Sequence, residues 1–278
     1  AGTRMAKGAG DEDQKMEVMS AIFPDAEQAE LLRFVRARPK SHMEAMKMYQ
    51  EHLQWRAGPG LPANLASAIA GVSPKWVQRS GVARDGTTAI YVCGGAYSSD
   101  IGPELHVLAL CHAIDEAFAP SDGNKCSAFI DTRPKKGLDN VPAQKMLPLF
   151  QMCSSVLQAN YPERLERLLV YPMPKVVNVL WNNVIKPFMD SKTADKVKLF
   201  SGNSGHGTPA PEKLNDFVDV RNLPQEQWYD HKELWPLADE PLSAAEVENI
   251  GKPAEVDDAG KPAEADESSK PGDDAELP

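Results

Sequence analysis

Gly202-Asn203-Ser204-Gly205-His206 is the stretch that most resembles a nucleophile site. A nucleophile elbow needs glycine at the last of those places, so that serine can project from a sharp strand-to-helix turn; the residue here is His206. Gly207-Thr208-Pro209 continues as loop, with no helix signal. Gly94-Gly95 lacks the lysine and the spacing of a phosphate loop. His106 and His112 share a predicted helix but not the His-Glu-x-x-His pattern that puts two imidazoles on one zinc. His112 is expected to pair with Asp115 at i, i+3. The acidic pairs Asp11-Glu12 and Asp257-Asp258 fall in segments expected to be flexible. No catalytic residue, metal ligand or cofactor is expected.

Two charged residues have a more telling context. Glu163 lies in Y-P-E-R (161–164) and Lys196 closes S-K-T-A-D-K (191–196). Between them run a short apolar strand and a helix predicted over Lys175 to Met189. That helix places Val177, Leu180, Trp181, Val184 and Phe188 on one broad apolar face, opposite Lys175, Asn178, Asn182 and Lys186. Pro187 removes a ladder hydrogen bond near its end, where a hinge could form. Taken alone, these features describe an amphipathic surface helix, a surface ion pair and a solvated ammonium, and such pairs contribute little.

The elements around them alternate. Met16 to Ile22 reads as a short helix, and Asp25 after Pro24 as the N-cap of a second, which runs from Ala26 to Arg38 and ends at Pro39. Ser41 with Glu44 makes a capping box for a third helix, in which Met46, Tyr49 and Leu53 share a face before Gly58-Pro59. Residues 60–80 carry no clear pattern. Strands are then predicted at Thr88–Cys93, Cys126–Thr132, Arg167–Val170 and Val197–Phe200, with helices at Glu104–Phe118 and Val141–Ala159 between them. This order implies an α/β fold with a substantially parallel sheet and right-handed crossovers.

The 278 residues are 42% hydrophobic and 25% charged, the balance of a protein that buries a core. The net charge of −10 sits mostly in residues 251–278, where nine acidic residues face three lysines. That segment repeats G-K-P-A-E and has no aromatic residue, so it is expected to stay disordered and to aid solubility or recruit a protein partner. No basic stripe suggests nucleic acid, and no apolar run approaches a membrane span. The opening Ala1 to Asp13 does not read as a leader. Cys93, Cys111, Cys126 and Cys153 lie in apolar surroundings with no Cys-x-x-Cys, as expected for buried free thiols in the cytoplasm.

L-L-R-F-V-R-A-R (31–38), the segment A-M-K-M-Y-Q-E-H-L-Q-W-R (45–56), Y-P-E-R and K-P-F-M-D (186–190) together resemble the CRAL-TRIO lipid-binding family, phosphatidylinositol transfer type. The resemblance implies a helical N-terminal region and a largely parallel sheet, with a gating helix over a lipid pocket. Its boundaries would be a flexible or short helical N-terminus over 1–24, the helical region over 25–60, the lipid-binding domain over 61–238 and an acidic tail over 239–278. It also implies headgroup contacts from Glu163, Lys196, Thr193 and Arg38, and a pocket and gate built from Val177, Leu180, Trp181, Val184 and Phe188. Cys126-Ser127-Ala128 stands where members that also bind phosphatidylcholine carry Ser-x-Thr. The function implied is binding and exchange of phosphatidylinositol between membranes, or its presentation to lipid kinases, by a cytoplasmic protein in transient contact with membranes. Two other readings remain open at this point: a carrier of an apolar isoprenoid-type ligand, and a lipid-sensing regulatory module.

Overall fold

A computed structural model describes residues 2–58, 61–119, 123–134, 140–173, 186, 191–203 and 205–224. Three helices open the chain: α1 (Gly2–Ile22), α2 (Gln28–Ala37) and α3 (His42–Ala57). They enclose a small core of their own, in which Met19, Leu31, Phe34, Ala45 and Tyr49 are almost fully buried. The Phe34 ring meets Tyr49 edge-on at 5.0 Å, and Phe23 meets the same tyrosine at 4.9 Å. The 3.6-residue period accounts for this packing, since Leu31, Phe34 and Val35 share one side of α2.

Several local expectations change here. The first helix is much longer than Met16 to Ile22: Met19 anchors that part against α2 and α3, and nearer its start Lys15 bonds the Pro39 carbonyl and Glu12 binds Arg36. Asp25 does not cap α2. The chain turns at Phe23–Ala26, the helix starts at Gln28, and its N-cap Glu27 makes no side-chain cap bond. Ser41 does cap α3, accepting from the Glu44 N–H at 3.3 Å. Leu53 is 42% exposed and lies off the buried face on which Tyr49 sits.

The second core surrounds a five-stranded sheet in the order β1-β2-β3-β4-β5. Its strands are β1 (Val77–Val82), β2 (Thr88–Cys93), β3 (Cys126–Asp131), β4 (Leu165–Met173) and β5 (Val197–Ser201). β1 pairs with β2 antiparallel, and the other three pairings are parallel. α4 (Leu65–Ala68) precedes β1, and between the later strands come α5 (Pro103–Ala117), α6 (Leu147–Asn160) and α7 (Ser191–Asp195). β1 and α4 fill the region that carried no pattern.

Strand register separates the two faces of the sheet. One face carries the row Ile90, Ala128, Leu168, Val197 and beside it Val92, Ile130, Val170, Leu199, all buried or half-buried. The other carries Tyr91, Phe129, Leu169 and Tyr171, each fully buried. On that side Phe217 is held between the cations of Arg167, at 5.6 Å, and Lys198, at 4.7 Å. The predicted gating helix, with Val177, Leu180, Trp181, Val184 and Phe188, and the acidic tail lie outside the described residues.

The two cores meet through polar contacts. Arg56 of α3 makes a bidentate pair with Asp115 of α5 at 2.6 and 2.7 Å, and Tyr161 donates to the same carboxylate at 3.1 Å. The buried His52 contacts Asn160 at 3.1 Å. Asp115 is thus committed to tertiary contacts, and His112 faces Glu116 at 3.4 Å instead of the expected Asp115. All four cysteines are free, three of them buried and Cys153 half-buried. Burial pushes the Cys111 and Cys126 thiols up to about 12. Both should therefore resist iodoacetamide in native protein near pH ~8 and react only on unfolding. Fast labelling of either in the native state would contradict this burial.

Candidate functional site

Glu163 follows α6 in the turn that leads into β4. Its backbone has φ of 59°, the left-handed region that a non-glycine residue enters at a cost of roughly 1–3 kcal/mol. Lys196 precedes β5 by one residue. Because β4 and β5 are parallel neighbours, Glu163 and Lys196 both lie at the edge of the sheet where these strands begin, with the Lys196 carbonyl accepting from the Leu168 N–H at 3.1 Å. Thr193 belongs to α7 at that edge, and its carbonyl accepts from the Lys196 N–H at 3.1 Å.

The side chains make a different pairing from the one the spacing suggested. The Lys196 ammonium donates to the Leu165 carbonyl at 2.6 Å and is half-buried. Lys192 is the cation beside Glu163, at 3.9 Å, and it also donates to the Arg36 carbonyl at 3.5 Å. The Arg36 guanidinium binds Glu12 of α1 through two bonds, at 2.9 and 3.1 Å. Its pKa is raised, mainly by the hydrogen bond to Glu12 and more weakly by the charge of Glu163. Side-chain exposure of 63% for Lys192 and 26% for Glu163 leaves this edge open to a ligand.

Arg38 stands apart from Lys196. It ends α2, donates to the Ala37 carbonyl at 3.0 Å and faces an open groove of about 360 Å³ along α6. The groove is lined by Arg38, Gln151, Ser154, Ser155, Gln158 and Ala159. Of the four expected headgroup residues, Glu163, Thr193 and Lys196 thus share one edge, and Arg38 comes in from the helical module. Lys192 and Arg36 went unnoticed in the sequence, although Lys192 adjoins Thr193 and Arg36 belongs to the R-A-R run. Among the described residues no group of histidines, cysteines and carboxylates could hold a metal ion, and no helix is long and apolar enough to cross a membrane.

Comparison with known proteins agrees with this architecture. The family model described as CRAL/TRIO domain matches residues 96–227. Protein real-time of Anopheles gambiae is 25% identical over 76% of this chain and 33% of its own length. A CRAL-TRIO domain-containing protein of Caenorhabditis elegans is 36% identical over 25% of this chain and 9% of its own. Phosphatidylinositol transfer protein CSR1 of Eremothecium gossypii is 24% identical over 70% of this chain and 45% of its own. The chain therefore spans less than half the length of each of these relatives. The crystal structure of Sfh5 superposes with a TM-score of 0.53 at 14% identity, covering 78% of this chain and 75% of that one, a likeness of fold. Residues 96–227 thus match the CRAL/TRIO domain, and the largely parallel sheet with its antiparallel edge strand and preceding helical module share the fold of Sfh5.

Proposed function

We propose that this chain binds one phospholipid, phosphatidylinositol, and exchanges it between membranes or presents it to lipid kinases, with no bond made or broken. The observation that carries this reading is the common placement of Glu163, Thr193 and Lys196 at one sheet edge, beside Lys192 and Arg36. A carboxylate there accepts from inositol hydroxyls, and the cations meet a phosphodiester. The apolar rows from Ile90 to Val197 and from Val92 to Leu199 supply a floor for acyl chains. A relative named as a phosphatidylinositol transfer protein supports the choice of lipid.

Exchange is feasible energetically. Two acyl chains gain on the order of 25 kcal/mol on burial, at about 0.8 kcal/mol per CH₂, but leaving the bilayer costs nearly as much. A pocket that imitates the bilayer therefore leaves the choice of lipid to the headgroup contacts. Such a carrier would work in the cytoplasm, touching membranes transiently.

Organic extraction of natively purified protein should release about one lipid per chain, identified by mass spectrometry as phosphatidylinositol. Recovery of no lipid, together with no uptake from labelled vesicles, would overturn the carrier reading. Recovery of an isoprenoid would overturn the choice of headgroup.

A further inference from the structure

Glu163 occupies a backbone position that suits it badly. The Arg164 N–H closes a turn on the Tyr161 carbonyl at 3.4 Å, with Pro162 second and Glu163 third. Proline at the second place and a positive φ at the third are the pattern of a type II turn, whose third place usually takes glycine or asparagine. Glu163 stands there with φ of 59°. A bulky side chain is kept where glycine would be easier, so the surroundings must hold the turn in this form.

Asn160, Tyr161 and Arg164, which flank it, are all buried. Arg164 donates to the carbonyls of Asn124 and Ala119, both at 2.9 Å, and its guanidinium lies over the Phe118 ring. These contacts fasten the far side of the turn to the connection between α5 and β3. The near side is fastened by the helical module. His52, Trp55 and Arg56 stand at i, i+3 and i+4, on one face of α3. His52 contacts Asn160 at 3.1 Å, and Trp55 meets the Tyr161 ring edge-on at 6.2 Å. The Arg56 guanidinium is 5.4 Å from the centre of that ring and grips Asp115, the carboxylate that accepts from the Tyr161 hydroxyl. One turn of α3 thus holds the two residues that lead into Pro162 and Glu163.

We propose that His52, Trp55 and Arg56 are positioning residues: docked on Asn160 and Tyr161, this face of α3 keeps the backbone left-handed at Glu163 and so aims its carboxylate. The use of that carboxylate on a ligand rests on the carrier reading, whereas the hold on the turn stands on the contacts alone. Arg56 acts through Tyr161 and Asp115, without meeting the ligand itself. The docking of the helical module and the grip of the site are then coupled, each favouring the other.

The test is a double-mutant cycle with two readouts. Glu163→Gly and Glu163→Ala both lose the carboxylate and differ in how easily they take the left-handed backbone. With Arg56 in place, Glu163→Gly should melt roughly 2–4 °C above Glu163→Ala. In an Arg56→Gln background the turn can relax, and the gap should close to less than about 1 °C. Tyr161→Phe, which loses only the hydroxyl bond to Asp115, is the background used if Arg56→Gln does not fold. The second readout is transfer of labelled phosphatidylinositol between phosphatidylcholine vesicles. Arg56→Gln should lower it roughly tenfold when Glu163 is present, and by less than about twofold in Glu163→Ala, where no carboxylate is left to aim. No melting gap with Arg56 in place, or a gap of equal size in both backgrounds, overturns the hold on the turn. An equal fall in transfer with and without Glu163 overturns the positioning role and leaves α3 as a stabilising element only. If wild type transfers no phosphatidylinositol, the carrier reading fails separately, and the melting comparison alone decides whether α3 holds the turn.

Discussion

Replacing Asp131 with alanine is expected to destabilise the fold by about 3–5 kcal/mol, the usual consequence of stripping one partner from a buried ion pair. Asp131 is fully buried at the end of β3, and Arg133 is 3% exposed. The guanidinium reaches both carboxylate oxygens, with Nε at 3.0 and 3.1 Å and Nη2 at 2.5 Å. The Arg133 N–H and the Tyr91 hydroxyl each add a bond at 3.0 Å. Arg133 also lies over the Tyr171 ring at 5.8 Å and donates to the Thr208 carbonyl, tying the 205–224 segment across the sheet end. Removing the carboxylate strips this buried cation of the two-oxygen partner that offsets its desolvation. Arg133→Met should cost a similar amount for the converse reason.

The double replacement Asp131→Leu with Arg133→Met should cost much less than the sum of the singles, because no orphaned charge remains. Urea midpoints for the three variants read this directly. Single losses below about 1 kcal/mol would mean that water reaches the pair and that it contributes little.

What the sequence made legible depended on whether a signal was local. Ser41 and Glu44 mark the start of α3 because a capping box needs only four residues. β2 and β3 were visible because strands buried on both faces read as near-continuous apolar runs. β1, V-Q-R-S-G-V, is an edge strand with one buried residue, so neither alternation nor an apolar run announced it. The length of α1 goes with long-range contacts of Glu12 and Lys15 to Arg36 and Pro39, and the chain turns at Phe23–Ala26 before α2 starts at Gln28, neither of which a short window registers. The same limit applies to the site. Spacing put Glu163 and Lys196 ahead of two successive strands, but which cation faces Glu163 depends on how α7 sits against the end of α2, and that contact joins Lys192 to Arg36.

That pairing sharpens the second large effect, a loss of lipid transfer on removing Glu163 or Lys196. Glu163→Ala and Lys196→Met should each lower the rate of phosphatidylinositol transfer by roughly ten- to a hundredfold, since a hydrogen bond to a charged group is worth about 1.5–3 kcal/mol. Lys196→Met keeps the aliphatic stem, which matters because this half-buried side chain also bonds the Leu165 carbonyl. Transfer is therefore compared only between variants with similar melting temperatures. Lys192→Ala is the internal reference. Its contact with Glu163 is a 3.9 Å surface pair, worth about 0–1 kcal/mol, so its removal should change transfer by less than about fivefold. Should Lys192→Ala prove as damaging as Lys196→Met, the phosphate is held by α7 and not by the β5 edge. Unchanged transfer with both Glu163 and Lys196 replaced would make the pair structural and would favour an apolar ligand with no headgroup to grip.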